Sequence, residues 1–143
     1  MTTYQYASPQ WCAEMRSILE RLVTEHLDAL SEVDFTLCEI ITDVPPNGQR
    51  VVLGAHITGK GVTFFDEDRP ADVIIRGDYA AMLPGARLIQ RGAAPEQLAA
   101  QAAHSKEMAK AGRVSATGQL AAAPKPLLRA LSRMHDLVAE ITA

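Results

Sequence analysis

Residues 71–83, ADVIIRGDYAAML, place a β-branched run against a helix start within a single short segment. Val73, Ile74 and Ile75 favour an extended chain, Gly77 permits a turn, and the Asp78 carboxylate can accept from the free N–H groups of a first helical turn. Pro84 and Gly85 are expected to stop that helix. Further on, GRVSATGQL at 112–120 sets Val114, Ala116 and Thr117 between Gly112 and Gly118, the pattern of another strand. PLLRALSRMHDL at 126–137 then opens a strongly amphipathic helix, with Leu127, Leu131, Met134, Val138 and Ile141 at i, i+4, i+7, i+11 and i+14. The order is strand, short helix, strand, amphipathic helix, which calls for helices packed on a sheet.

The first half supplies the rest of such a sheet. Ser8-Pro9 is a helix start, Ser8 capping and Pro9 standing where a missing N–H costs nothing. Trp11, Met15, Ile18 and Leu22 follow on one face, widened by Leu19, Val23 and Leu27. Residues 34–44 and 50–58 flank Pro45-Pro46-Asn47-Gly48 and read as an antiparallel hairpin. Phe35, Leu37 and Glu39 share one face of its first strand; Thr36, Cys38 and Ile40 share the other, so both faces are partly apolar. Gly59-Lys60-Gly61 turns the chain into Val62–Phe65, and the acidic run Asp66-Glu67-Asp68 before Pro70 ends that strand in a solvated turn. Residues 84–94 read as irregular, and 95–111 as a helix started by Pro95 and stopped by Gly112.

An alanine-aspartate-hydrophobic strand, an aspartate-capped helix and a glycine-bracketed strand, in that order, resemble the C-terminal half of the sterol carrier protein type-2 family. The resemblance runs by order of elements over residues 15–140 and is specific in the segments just quoted. It implies a single α+β domain over residues 1–143, a mostly antiparallel sheet of about five strands. One face would be covered by helices from the N-terminus, the 95–111 region and the C-terminus, with a hydrophobic cavity between. The implied function is non-covalent carriage of a sterol, fatty acyl chain, isoprenoid or polyketide. The 84–111 segment is longer and richer in alanine than the family pattern, and there it borders the mouth of the cavity.

Composition excludes several other classes. The 143 residues are 48% hydrophobic and 22% charged, with a net charge of −3, the balance of a soluble single domain. No apolar run approaches the length of a membrane span, and MTTYQYASPQ lacks the features of a signal peptide, so a cytoplasmic site is expected. The abundance of alanine points to a GC-rich bacterial source. Residues 1–72 carry five Lys/Arg against twelve Asp/Glu; residues 73–143 carry nine against five. Two solvated faces of opposite sign explain this. So does a basic rim of Lys106, Lys110, Arg113, Lys125, Arg129 and Arg133 that meets an anionic headgroup or a partner enzyme. A net acidic chain with few aromatics disfavours nucleic acid. Cys12 and Cys38 have neither metal nor redox spacing and read as buried thiols.

A carrier needs an apolar cavity with few polar groups. The candidates for its lining are Leu37, Val52, Ile57, Phe64, Ile74, Met82, Leu83, Met108, Leu127, Leu128, Leu131 and Met134, each of which reads equally as ordinary core. Burying about 400 Å² of apolar ligand surface gives on the order of 10 kcal/mol before ordering costs, enough for micromolar binding without a polar anchor. The competing class is a small cofactor-free enzyme, an isomerase, hydratase or cyclase. In it His56, pointed inward by its strand, would act as a general base with Glu39 or Asp72 beside it. His26 and His135 edge apolar helix stripes, and His104 is expected in solvent. No cofactor and no metal site is expected, since neither the histidines nor the cysteines stand at ligand spacing.

Overall fold

The computed structural model describes residues 2–143. Three strands form a meander, β1 (Asp34–Val44), β2 (Gln49–Thr58) and β3 (Gly61–Phe65), and β4 (Val73–Asp78) and β5 (Val114–Thr117) extend it on the other side of β1. The five-stranded open sheet has the order β3-β2-β1-β4-β5, and its central β1–β4 pair is parallel while the other three pairs are antiparallel. Four helices complete the fold: α1 (Pro9–Glu25), α2 (Tyr79–Arg87), α3 (Pro95–Lys110) and α4 (Lys125–Glu140).

Local chemistry accounts for the boundaries. The Ser8 hydroxyl accepts from the Trp11 N–H, and the Asp78 carboxylate accepts from Ala81 N–H at 2.9 Å while binding Arg113 through two bonds of 2.9 Å. Arg113 holds the Asp78 carboxyl below the ordinary carboxylate range. Gly112 ends α3 with φ 73°. Pro84 and Gly85, expected to end α2, lie inside it. The proline forfeits only its own N–H bond, and the helix is secured beyond it by Leu88 N–H to Gly85 C=O and by the Arg87 side chain on the Ala143 carbonyl.

Parallel strands ordinarily need a helical crossover. Here register removes the need. Phe65, the last residue of β3, pairs with Gly54, which pairs with Cys38, while β4 begins with Val73 paired to Leu37. β3 therefore stops at the level where β4 starts, and the connection has only to cross three strand spacings, about 14 Å. Residues 66–72 cover that as a nearly flat strap. The strap lies on the sheet face away from the helices: Asp68 pairs with Arg50, Arg69 lies 4.0 Å over the Phe65 ring, and Asp72 exchanges two bonds with the Thr36 backbone at 2.9 and 2.7 Å. Beneath it Cys38, Ile40, Val52 and Phe65 form a buried cluster joined by Ile74.

The opposite face carries the larger core. Phe35, Ile41, Leu53, Ala55, Ile57 and Val73 meet α1 and α4, whose Val23 and Leu127 are fully buried. α3 differs from its neighbours: no residue of it is buried, and its more sheltered side is Gln101, His104 and Met108 at i, i+3 and i+7. His104, expected in solvent, is half-buried and bonded through Nε2 to the Ala81 carbonyl at 2.9 Å.

The Phe65 ring rests directly on Gly54, where a Cβ would stand 2.1 Å from ring carbon. Gly54→Ala is expected to cost about 1–3 kcal/mol in urea denaturation through overpacking. The double variant Gly54→Ala/Phe65→Leu should recover part of that loss, because the cause is a side-chain collision.

Candidate functional site

A cavity of about 290 Å³ lies between the helix-facing side of the sheet and the helices. Its floor follows from the strand registers. Leu37 pairs with Ala55 and Val73, and Glu39 with Leu53 and Ile75, so alternate residues of the three central strands face the same way. Leu37, Leu53, Ala55 and Ile75 give it an apolar base, with Phe64 from β3 beside them. Gly77 deepens the packing at one end: a Cβ there would sit 2.6 Å from the Met82 sulfur, so α2 rests close on β4.

The helices supply a methionine-rich roof. Met15, Met82, Met108 and Met134 come one each from α1, α2, α3 and α4, and they are four of the five methionines in the chain. Unbranched thioethers repack at low cost, so this wall can follow ligands of different outline. Gln101 and Ser105 also face the cavity and are bonded to each other at 3.2 Å.

Ionisable groups enter from three parts of the chain. Glu39 stands in the floor, and its Oε1 accepts from the Tyr6 hydroxyl at 2.5 Å. Tyr6 is 2% exposed and precedes α1, set edge-on to Trp11 with ring centroids 4.9 Å apart and tilted against Tyr79 at 5.6 Å. His135 of α4 also lines the space, with Nε2 bonded to the Leu88 carbonyl at 2.9 Å. Burial pushes the Glu39 carboxyl above the ordinary carboxylate range, and neither the Tyr6 hydrogen bond nor the neighbouring His135 brings it back. Burial and the adjacent Glu39 push the Tyr6 phenol up as well, which keeps it a donor.

The expected lining residues separate into three groups. Leu37, Phe64, Met82, Met108 and Met134 lie on the cavity wall. Ile57, Leu83, Leu127, Leu128 and Leu131 face the same side of the sheet but pack in the core around it. Val52 and Ile74 lie on the opposite face beneath the strap, because in register they stand opposite Ile40 and Cys38 and not opposite Glu39. The pairing of His56 with Glu39 is not formed for the same reason. His56 stands opposite Thr36 on the outer face, where Nε2 meets Asp34 at 2.6 Å, and Asp72 is committed to the Thr36 backbone. Sequence reasoning missed Tyr6, Trp11 and His135, which reach the cavity from the chain ahead of α1, from α1 and from α4. Of the basic rim, Arg113 is engaged with Asp78; Lys106, Lys110, Lys125, Arg129 and Arg133 are exposed on α3 and α4, with no carboxylate within 4.0 Å among the described residues.

No family model matches the chain, and no curated protein does. Among solved structures, a conserved hypothetical protein from Thermus thermophilus, described as possibly a sterol carrier protein, aligns over 100% of this chain and 94% of its own. The TM-score is 0.53 and the identity 14%. The fold is sterol-carrier-like. Sterol carrier protein 2 itself aligns at a TM-score of 0.49 and 15% identity over 96% of this chain and 100% of its own. A ubiquinone synthesis protein, UbiJ-SCP2, aligns at 0.46 and 17% over 92% and 89%. The expected α+β architecture with about five strands and helices on one face is thus the observed one. No helix among the described residues is long and apolar enough to cross a membrane.

The raised Glu39 carboxyl makes stability depend on pH in a definite direction. A group whose folded pKa lies above its unfolded value, 4.5 for this carboxyl, favours the fold fully below that value and loses the contribution as pH rises through the folded one. Glu39→Gln, which keeps the shape without the charge, should therefore be more stable than wild type in urea melts near neutrality. The difference should shrink as the pH is lowered toward about 4.

Proposed function

We propose that this protein binds and carries a hydrophobic small molecule in the cavity above Leu37 and Glu39, of sterol, fatty acyl, isoprenoid or polyketide type. The observation that carries the reading is the wall itself: an apolar floor roofed by one methionine from each of four helices, in a sterol-carrier-like fold. The cavity has the scale of a small-ligand site, near the lower end of the usual range of about 300–1,000 Å³. Carriage needs no chemical step, and its thermodynamic source is the apolar area withdrawn from water. The cytoplasm suits such a carrier. The five exposed cations of α3 and α4 support delivery to an anionic headgroup or a partner enzyme. The enzymatic alternative loses its acid/base pair, since His56 and Glu39 lie on opposite faces.

Native mass spectrometry of freshly purified protein, followed by solvent extraction, should reveal an added mass that extracts as a lipid. Ala86→Trp, which projects an indole from α2 into the cavity, should weaken binding of a fluorescent fatty acyl probe by at least about tenfold while leaving the circular dichroism spectrum unchanged. A clean apo mass together with no probe binding would remove the carrier reading.

A further inference from the structure

Glu39 is an expensive residue for its position. Its neighbours across the sheet, Leu53 and Ile75, are apolar, and no Lys or Arg lines the cavity. Asp136, a buried carboxylate, shows what a structural one looks like in this molecule: Oδ1 and Oδ2 accept from the Gln90 and Arg91 N–H groups at 2.8 and 3.2 Å, tying the α2–α3 connection to α4. Glu39 uses one oxygen only. Oε1 takes the Tyr6 hydroxyl, and Oε2 has no protein hydrogen bond and is not sealed from the cavity, since no buried side-chain oxygen is left unpartnered among the described residues.

The geometry of Tyr6 is fixed at some cost. The next residue, Ala7, has φ 62° and is 1% exposed, a left-handed conformation that strains a residue with a Cβ. With Trp11 and Tyr79 against its ring, Tyr6 has its hydroxyl on Oε1, and Glu39 lines the cavity with Oε2 unpaired.

We propose that Glu39, held by Tyr6, is a ligand-reading group: the carboxylic O–H on Oε2 donates a hydrogen bond to a neutral oxygen, a ketone or an alcohol, carried on an otherwise apolar ligand. The proposal rests on the carrier reading and narrows its ligand. An alkane would leave the O–H unsatisfied in an apolar wall. A carboxylate head would need a cation; no Lys or Arg lines the wall among the described residues, and His135 already spends Nε2 on the Leu88 carbonyl. The groups that face the Glu39 carboxyl are Tyr6 from the N-terminal segment, Cys12 from α1 and His135 from α4, with Tyr79 of α2 behind Tyr6. β2 and β4 present Leu53 and Ile75. Burial favours the protonated carboxyl in that setting, so the preference weakens as the pH rises and Glu39 ionises.

The test uses two naphthalene probes of the same outline, 6-propionyl-2-(dimethylamino)naphthalene and its 6-propyl analogue, titrated into the delipidated full chain at pH 6. Wild type should bind the ketone about tenfold more tightly, the scale of one buried hydrogen bond. The bound carbonyl stretch should lie below its value in alkane solvent. Glu39→Gln retains a donor and should keep most of the preference; Glu39→Leu should bind both probes alike. Equal binding of the two probes by wild type, with an unshifted carbonyl, overturns the proposal and leaves the carrier reading standing. Tighter binding of an aminomethyl analogue than of the ketone also overturns it, by showing an ionised Glu39. Failure to bind either probe overturns the proposal, and the carrier reading falls with it only where the native mass is also clean and the fatty acyl probe does not bind. Should Glu39→Leu not fold, the carbonyl stretch in wild type, and its return toward the alkane value as pH is raised, decides the matter alone.

Discussion

β1 is apolar on both faces, and a strand of that kind in the middle of an open sheet has to be covered twice. On the side of Phe35, Leu37 and Ile41 the cover is helical, and it is thick enough to leave a cavity. On the side of Cys38 and Ile40 it is a strap one layer deep, with Phe65 lying flat on Gly54. The asymmetry determines where a ligand can go. Helices leave space between their ridges, whereas a strap pulled across three strand spacings leaves none.

The parts of this fold that could be read from sequence are those with a local chemical cause. Ser8 and Asp78 cap helices by their own side chains, Gly112 ends one, and the stretch around Asn47-Gly48 joins β1 to β2. Depth and face were harder. Leu127, Leu131 and Met134 lie on one apolar stripe of α4, yet only the last touches the cavity, and periodicity does not distinguish a stripe's inner from its outer rows. Val51, Val52 and Leu53 are consecutive and apolar, so β2 gives no alternation from which to choose a face. One step of register separates His56 from the cavity and puts Glu39 in it, and register is a property of the pair of strands and not of either sequence. Tyr6 lay outside every periodic segment. Its only sign was proximity to a helix start, which says nothing of a hydroxyl reaching across to residue 39.

Polar groups inside the molecule are therefore few and individually committed. Trp11 donates from its indole to Thr142 at 3.0 Å, Thr142 in turn donates to Val138 C=O at 2.8 Å, and Asp136 takes two backbone N–H groups. Each of these fixes one element against another. Beside them a carboxyl with one free oxygen stands out because everything around it shows that the fold can satisfy such groups when structure alone is at stake.

The two cysteines lie on opposite sides of the sheet, Cys12 with Ile41 and Leu53 under α1, and Cys38 with Val52 and Phe65 under the strap. Burial pushes both thiols above their ordinary pKa, which keeps the reactive thiolate scarce. A disulfide between them would have to pass through the strands, so it cannot close without dismantling β1. The native fold thus forms no disulfide between its two cysteines, whether the surroundings are oxidising or reducing. Oxidation would reach the ligand site through the methionine roof instead, where a sulfoxide puts a polar group on an apolar wall.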